Sequence, residues 1–498
     1  MKQALETLES RYAEIRDLQH TVSILGWDQQ TQMPRGGAAE RGRQFATLSG
    51  LIHERKTAPE LLDAVEKLER KSESLKPRQR RLVELAAREV RKATSLPGEL
   101  TRELALAEAR GHESWVEARA NDDFAHFAPD LERIVELKRE QAKLSAGDGP
   151  LYDALLDDFE PGATTAEIDP LLDDLRELTV PLVEQVRASK VKVDTKPLRG
   201  RFPAADQRAF VRDVVVAMGI DMDRARLDLA AHPFCGGIGP IDVRMTGRYD
   251  DRDLRPGLYG AIHEAGHGLY EQGLDPKRTR SPLGGAISMA IHESQSRLWE
   301  NRIGRSRAFW KHFLPRARKQ FPAALRGVKL DAMWRAANEL GPSFIRVEAD
   351  ELTYNLHIIL RYRLELELVS GSLEVRDLPE RWNDEMHATL GIRPRNDADG
   401  CLQDVHWSSG AIGYFPTYSL GNLYAAQFVD AAERDLGDID AMVARGDLEP
   451  LASWLREKIH KHDRTVTAAK LVKRVTGSKL SVEPFRRYIT GKVEAIYG

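Results

Sequence analysis

Apolar residues recur three and four positions apart from the start of the chain, in "MKQALETLESRYAEIRDLQH", and again in "LERIVELKREQAKL". That spacing lines up one face of a helix. Turn signals such as "SLPGE", "FAPD" and "GDGPLY" separate these runs, so the pattern predicts helix after helix from Met1 to about Ser189. "WDQQTQMPRGGAAERGRQ", with a Pro and paired glycines, reads as a loop between two of them. Helical spacing lapses around "ASKVKVDTKPLRGRFPAADQ". The lapse marks a junction inside one unit, 1–498, between an N-terminal helical part (about 1–190) and a second part (about 200–498). One strand candidate stands out. In "PIDVRMTGRY", Ile241, Val243 and Met245 alternate with Asp242, Arg244 and Thr246, the pattern of a half-buried strand. A helix follows in "LYGAIHEAGHGLYEQ", and a strand beside it could pair an extended peptide along its free edge. The fold class expected is mainly α, a large helical body with a small β-sheet beside that helix.

Composition narrows the classes. The chain has 498 residues, with 74 basic and 77 acidic side chains that nearly cancel. Such a balance, without a long single-sign block, points to neither a nucleic-acid nor a membrane partner. No apolar run has membrane-spanning length and the N-terminus lacks the apolar core of a secretion signal. Two cysteines, Cys235 and Cys401, are too few for a disulfide-stapled secreted domain. A cytoplasmic protein with free thiols is expected.

"HEAGH" then supplies candidate chemistry. Residues four apart share a helix face, so His263 and His267 can offer their rings to one ion while Glu264 flanks it. With 14 His in 498 residues, chance yields on the order of 0.03 such H-E-x-x-H matches. The pattern is that of a zinc peptidase, whose ion needs a third protein ligand. The metzincin offsets hold Tyr270 and Gly273 and so exclude that class. A second pair, His292 and Glu293 in "MAIHESQSRLWEN", follows a turn through "GLDPKRTRSPLGG". Adjacent helix positions diverge by about 100°, so only one of the two can face the ion. Glu293 is the expected ligand, with His292 as a supporting neighbour. A Zn²⁺ there would polarise water while Glu264 acts as general base.

Further on, "SFIRVEADELTYNLHIILRYRLELEL" reads as one long helix with Arg346, Asp350, Thr353 and His357 on one stripe. An Arg aimed into a metal cleft is a natural fork for a carboxylate, while an intrahelical Arg346–Asp350 pair is the plainer alternative. "GCLQDVHWSSGAIGYFPTYSLGN" is Gly-rich and aromatic, and offers His406, Trp407, Tyr414 and Tyr418. Such a loop can carry donors for an oxyanion.

"HPF" at His232, "DVRMT" at Asp242 to Thr246, "HEAGH", "HES", "IRVEAD" and "GCLQDVHW" occur in this order. Together they resemble the thermostable metallocarboxypeptidase family, also called the carboxypeptidase Taq family, over nearly the whole chain. The resemblance implies a helical, zincin-like (gluzincin) fold with a deep cleft, a homodimer, and removal of C-terminal residues from peptides with broad specificity. By position it makes His263, His267 and Glu293 the ligands of one Zn²⁺ per subunit, with Co²⁺ also possible, and Glu264 the base. Arg346 would bind the substrate's free C-terminal carboxylate, and Asp242 and Arg244 are further candidate substrate-binding residues. Similarity to related zinc peptidases makes His406 and Tyr414 the groups that bind the scissile carbonyl. Two rivals stay open: a helical zinc oligopeptidase that cuts internally, and a non-catalytic, metal-stabilised peptide-binding protein. No G-x-M-E-N stretch that would read a free amine is present.

Overall fold

The computed structural model describes all 498 residues. Its first part is helical throughout: α1 (Lys2–Thr31), α2 (Ala38–Lys56), α3 (Pro59–Glu69), α4 (Pro77–Ser95), α5 (Gly98–Asn121), α6 (Phe124–Ala146), α7 (Leu151–Leu156) and α8 (Thr165–Ala188). This agrees with the periodicity. A further helix, α9 (Ala204–Ala217), leads into three short strands, β1 (Ala225–Leu229), β2 (Cys235–Gly237) and β3 (Val243–Gly247). Then come α10 (Leu254–Gly273), α11 (Met289–Arg297), α12 (Arg307–Gln320), α13 (Leu330–Ala337), α14 (Tyr354–Ser370), α15 (Leu378–Leu390) and α16 (Pro416–Leu436). Four more, α17 (Ile439–Arg445), α18 (Glu449–Lys458), α19 (Ala468–Thr476) and α20 (Glu483–Tyr497), close the chain. No helix is long and apolar enough to cross a membrane.

The strands pair in the order β1-β3-β2, β1 parallel and β2 antiparallel to β3. Val243 and Met245 are fully buried, as their alternation predicts. Three expectations about this strand need correction. Ile241 is 62% exposed, because it sits in the turn closed by the Asp242 N–H on the Gly239 carbonyl, before the strand begins. Thr246, placed on the polar face, is wholly buried because its hydroxyl bonds the backbone N–H and carbonyl of Phe234 at 2.8 and 3.1 Å. β3 also has no free edge, since it is the central strand; the open edges belong to β1 and β2. β1 and β2 themselves escape the sequence pattern, being too short and glycine-rich to alternate.

Most buried apolar residues join one core that includes the sheet, α10, α11, α14 and α16. Helices α1, α3 and α4 share a separate, smaller core, to which Leu283 also belongs. Polar contacts also tie this N-terminal group to the rest. Trp27 of α1 carries the guanidinium of Arg226 at 4.7 Å and of Arg244 at 4.3 Å, two residues opposite each other on β1 and β3. Glu89 accepts from both Arg16 (3.3 Å) and Arg464 (2.8 Å). Both cysteines are free thiols.

The long helix expected over Ser343–Leu368 is broken. Arg346–Glu348 form one 3-10 turn and α14 begins only at Tyr354. Asp350 causes the break: its half-buried carboxylate accepts from the N–H groups of Leu352 (2.8 Å), Thr353 (3.1 Å) and Gly341 (2.9 Å) and from the Thr353 hydroxyl (3.0 Å). A side chain that captures backbone donors in this way competes with helical pairing. Arg346 and His357 therefore do not share a stripe, and Arg346 pairs with Asp404 instead of Asp350.

Candidate metal centre

Two helices build the site. Asp253 caps α10 by accepting from the Arg255 N–H at 2.9 Å, and Ser288 caps α11 by accepting from Ile291 at 3.2 Å; both contacts satisfy orphan first-turn donors. Gly266, between the two histidines of "HEAGH", lets these helices touch backbone to backbone. A Cβ there would lie 2.6 Å from the Gln295 carbonyl oxygen. Gly421 of α16 makes room for the Glu293 side chain on the far side, where a Cβ would meet its Cγ at 2.8 Å.

The result is a triad. His263, His267 and Glu293 place one ligand atom each within 4.8 Å of one another. Glu293 Oε2 is 3.6 Å from His263 Nε2 and 3.3 Å from His267 Nε2. Tetrahedral ligands about 2.05 Å from a zinc ion stand about 3.3 Å apart, so the donor set and its spacing fit such an ion. Burial alone would raise the Glu293 carboxyl, but Arg297 and the two histidines outweigh it and hold it well below the usual carboxylate range. Burial and the neighbouring His292 lower His267 to about 3, leaving the neutral imidazole a ligand requires. Glu264 lies beside the triad, where burial lifts its carboxyl to about 7.

His292 is not part of the triad. Its ring stacks on His267 at 4.4 Å and 22°, and its Nε2 meets Glu271 at 2.9 Å. His267 Nδ1 finds no hydrogen-bond partner, so the stack on His292 supports the ring alongside the contact of its Nε2 with Glu293. Three charged groups around the ligands escaped the sequence reading. Glu300 meets His263 Nδ1 at 3.0 Å, Arg297 donates to Glu293 Oε1 at 2.7 Å, and Glu271 holds His292. A signal existed, since Arg297 and Glu300 follow Glu293 by four and seven positions and Glu271 follows His267 by four. Glu300 sits in a π-helical stretch, Leu298–Gly304, that continues α11; such stretches concentrate at functional sites.

The first turn of α11 is held by a buried carboxylate. Glu160 accepts from the Ala290 N–H at 3.2 Å, and burial lifts it to about 7. An unfolded Glu titrates near 4.5, so this group's stabilising contribution is full below that pH and is lost as pH rises through about 7. Glu160→Gln removes the dependence. The melting temperature of the variant relative to wild type is expected to improve from pH 5 to pH 8, by on the order of 3 kcal/mol in stability. A constant difference across that range would contradict the assignment.

Beyond Tyr354 lies a second charged cluster. Arg297 stacks on the Tyr354 ring at 4.2 Å, and the ring's hydroxyl accepts from Arg346 Nη1 at 2.9 Å. Arg346 also donates to Asp404 Oδ1 from Nε (3.0 Å) and Nη2 (2.7 Å), while Arg361, absent from the sequence reading, donates from Nε to Asp404 Oδ2 at 2.7 Å. All three groups are nearly or fully buried. Two arginines share one carboxylate, so the cluster keeps a net positive charge. Burial would raise Asp404, but the arginines hold it far below its usual range.

His406 and Tyr414 stand beside this cluster, their rings 5.3 Å apart, with Tyr418 5.3 Å from Tyr414. His406 Nδ1 is 3.8 Å from Asp404, and burial nevertheless lowers the ring to about 4, so it is neutral near pH 7. Burial raises Tyr414 to about 12, with Glu293 adding to the shift, so it stays a donor. Asp242 and Arg244 are turned to each other, with two contacts of 2.9 Å, and Arg244 lies against Trp27.

Comparison with known proteins agrees with this geometry. Residues 7–493 match the family model described as carboxypeptidase Taq (M32) metallopeptidase. The chain is 42% identical to thermostable carboxypeptidase 1 of Thermus thermophilus, over 99% of this chain and 100% of that one. It is 38% identical to carboxypeptidase 1 of Bacillus subtilis, over 96% and 95%. The crystal structure of the M32 carboxypeptidase from Deinococcus radiodurans superposes with a TM-score of 0.96 at 40% identity and 100% coverage of both chains. With the ligand triad, the helical body and full-length similarity in agreement, the chain belongs to the carboxypeptidase Taq (M32) family of metallopeptidases, enzymes that hydrolyse peptide bonds.

Proposed function

We propose that this carboxypeptidase is zinc-dependent and trims residues of varied side chain from the free C-terminus of peptides, with Glu264 as general base. One observation carries the reading: the metal triad is linked through Arg297 and the Tyr354 ring to a buried cluster with a net positive charge. A divalent cation on His263, His267 and Glu293, Zn²⁺ by default with Co²⁺ also suited to the N/O donors, would polarise the scissile carbonyl and the attacking water. Glu264 takes the proton of that water and returns it to the departing amine. Tyr414 and His406 donate to the carbonyl oxygen as negative charge develops there.

Arg346 recognises the terminal carboxylate. Of its five N–H groups, three bond Asp404 and Tyr354, and the remaining two, with the net charge of the cluster, would meet the substrate carboxylate. Asp242 and Arg244, paired with each other on and beside β3, are the further substrate-binding residues of this reading. The homodimer and the cytoplasmic setting implied by the family resemblance complete the proposal.

Amidating the C-terminus of a short peptide is expected to lower kcat/KM by about 10- to 100-fold, the loss of a hydrogen bond to a charged group. Equal cleavage of free and amidated peptides, with internal fragments, would overturn the exopeptidase reading in favour of an oligopeptidase.

A further inference from the structure

We propose that Glu365 is a positioning residue for the reaction, a buried carboxylate that clamps both ends of the bend between His406 and Tyr414. Glu365 projects from α14 and is wholly buried. Its Oε1 accepts from Trp407 Nε1 at 2.9 Å, and its Oε2 accepts from the Gly413 N–H at 3.1 Å and the Tyr152 hydroxyl at 2.6 Å. Trp407 directly follows His406, and Gly413 directly precedes Tyr414. One side chain therefore fixes the residues adjoining the two carbonyl-binding groups.

The bend's own backbone hydrogen bonds are short-range, such as the Ala411 N–H on the His406 carbonyl at 2.9 Å and the Gly410 N–H on the Trp407 carbonyl at 3.1 Å. The bend's regular structure is a single 3-10 turn, Trp407–Ser409, followed by Gly410 and Gly413 at φ 67° and 94°. Gly413 also passes so close to the α7 backbone that a Cβ would lie 2.8 Å from Leu156 N. An apolar side chain would fill the space of Glu365 without the expense of burying a carboxylate, and no cation bonds to it. What the carboxylate adds is convergence: three donors from α7 and from both ends of the bend must meet at one point. Those three donors oppose the upward push of burial, which lifts the carboxyl to about 7.

The inference rests on the roles given above to His406 and Tyr414, through which Glu365 acts without touching substrate. The test uses the full-length, zinc-loaded enzyme with Glu365→Gln, which preserves volume but turns an N–H₂ toward one of the donors. The expected result is a kcat lowered about tenfold or more, with KM within about threefold and bound zinc unchanged. Amide exchange across 405–415 should rise about tenfold while α10 and α11 keep their protection. Tyr152→Phe, which removes one donor and leaves the fold intact, should show the same local exchange change with a smaller loss of kcat.

Unchanged exchange across 405–415 would overturn the clamp. So would faster exchange spread evenly over the whole chain, which marks general destabilisation. A loosened bend with wild-type kcat would also overturn the proposal. Tyr414→Phe, measured alongside, then locates the fault: if it too keeps wild-type kcat, the role of Tyr414 has failed, and if it loses kcat, only the clamp has.

Discussion

Glu264→Gln is expected to lower kcat by roughly 10²- to 10⁴-fold, the range for loss of a general acid-base group, while bound metal stays at one ion per chain. The amide copies the shape of the carboxyl but cannot accept a proton from water. Burial already disfavours the Glu264 anion, lifting it to about 7, so removing the charge should leave the melting temperature unchanged or higher. None of the three ligand atoms belongs to Glu264. Turnover, metal content and thermal stability therefore separate in one variant. A variant that keeps both its metal and its activity would refute the assigned base.

Glu293→Ala should act at the other end of the chain of events, by abolishing metal binding. Two histidines remain, but the third ligand atom is gone, and Arg297 loses its 2.7 Å partner in a buried setting. Removing one member of a buried pair costs about 3–5 kcal/mol, so this variant should also melt earlier. His292→Ala, one residue away, should behave differently. It removes the ring stacked on His267 and the link to Glu271, which is support for a ligand. A loss of about 10- to 100-fold in metal affinity is expected for such support. Competition with a chromogenic chelator reads both. Stoichiometric, tight metal in Glu293→Ala, or complete metal loss in His292→Ala, would reverse the roles of the two residues.

The neighbouring His-Glu pairs show what a sequence can tell. Helical spacing alone places His263 with His267 and allows only one of His292 and Glu293 to face them, and the fold puts Glu293 there. What periodicity missed is side-chain capture of the backbone. Asp350 takes three backbone N–H groups and ends what looks like an unbroken helical pattern, so the partner of Arg346 comes from Asp404, far along the chain. Thr246 likewise reads as polar and outward, yet its hydroxyl is used inside by Phe234. The outer partners of the ligands were readable in principle, because Arg297, Glu300 and Glu271 keep helical register with Glu293 and His267. Arg361 carried no such mark, a charge in the apolar run "LHIILRYRLELEL" whose buried carboxylate partner lies on another segment.

In the proposed function, one metal ion on His263, His267 and Glu293 drives C-terminal trimming. Chelator-stripped enzyme titrated with Zn²⁺, while release of the C-terminal residue of a short peptide is followed, tests it most directly. No release is expected at the start, followed by a linear rise that saturates at one ion per chain. Full activity in the stripped enzyme, or a rise that continues to two ions per chain, would contradict it.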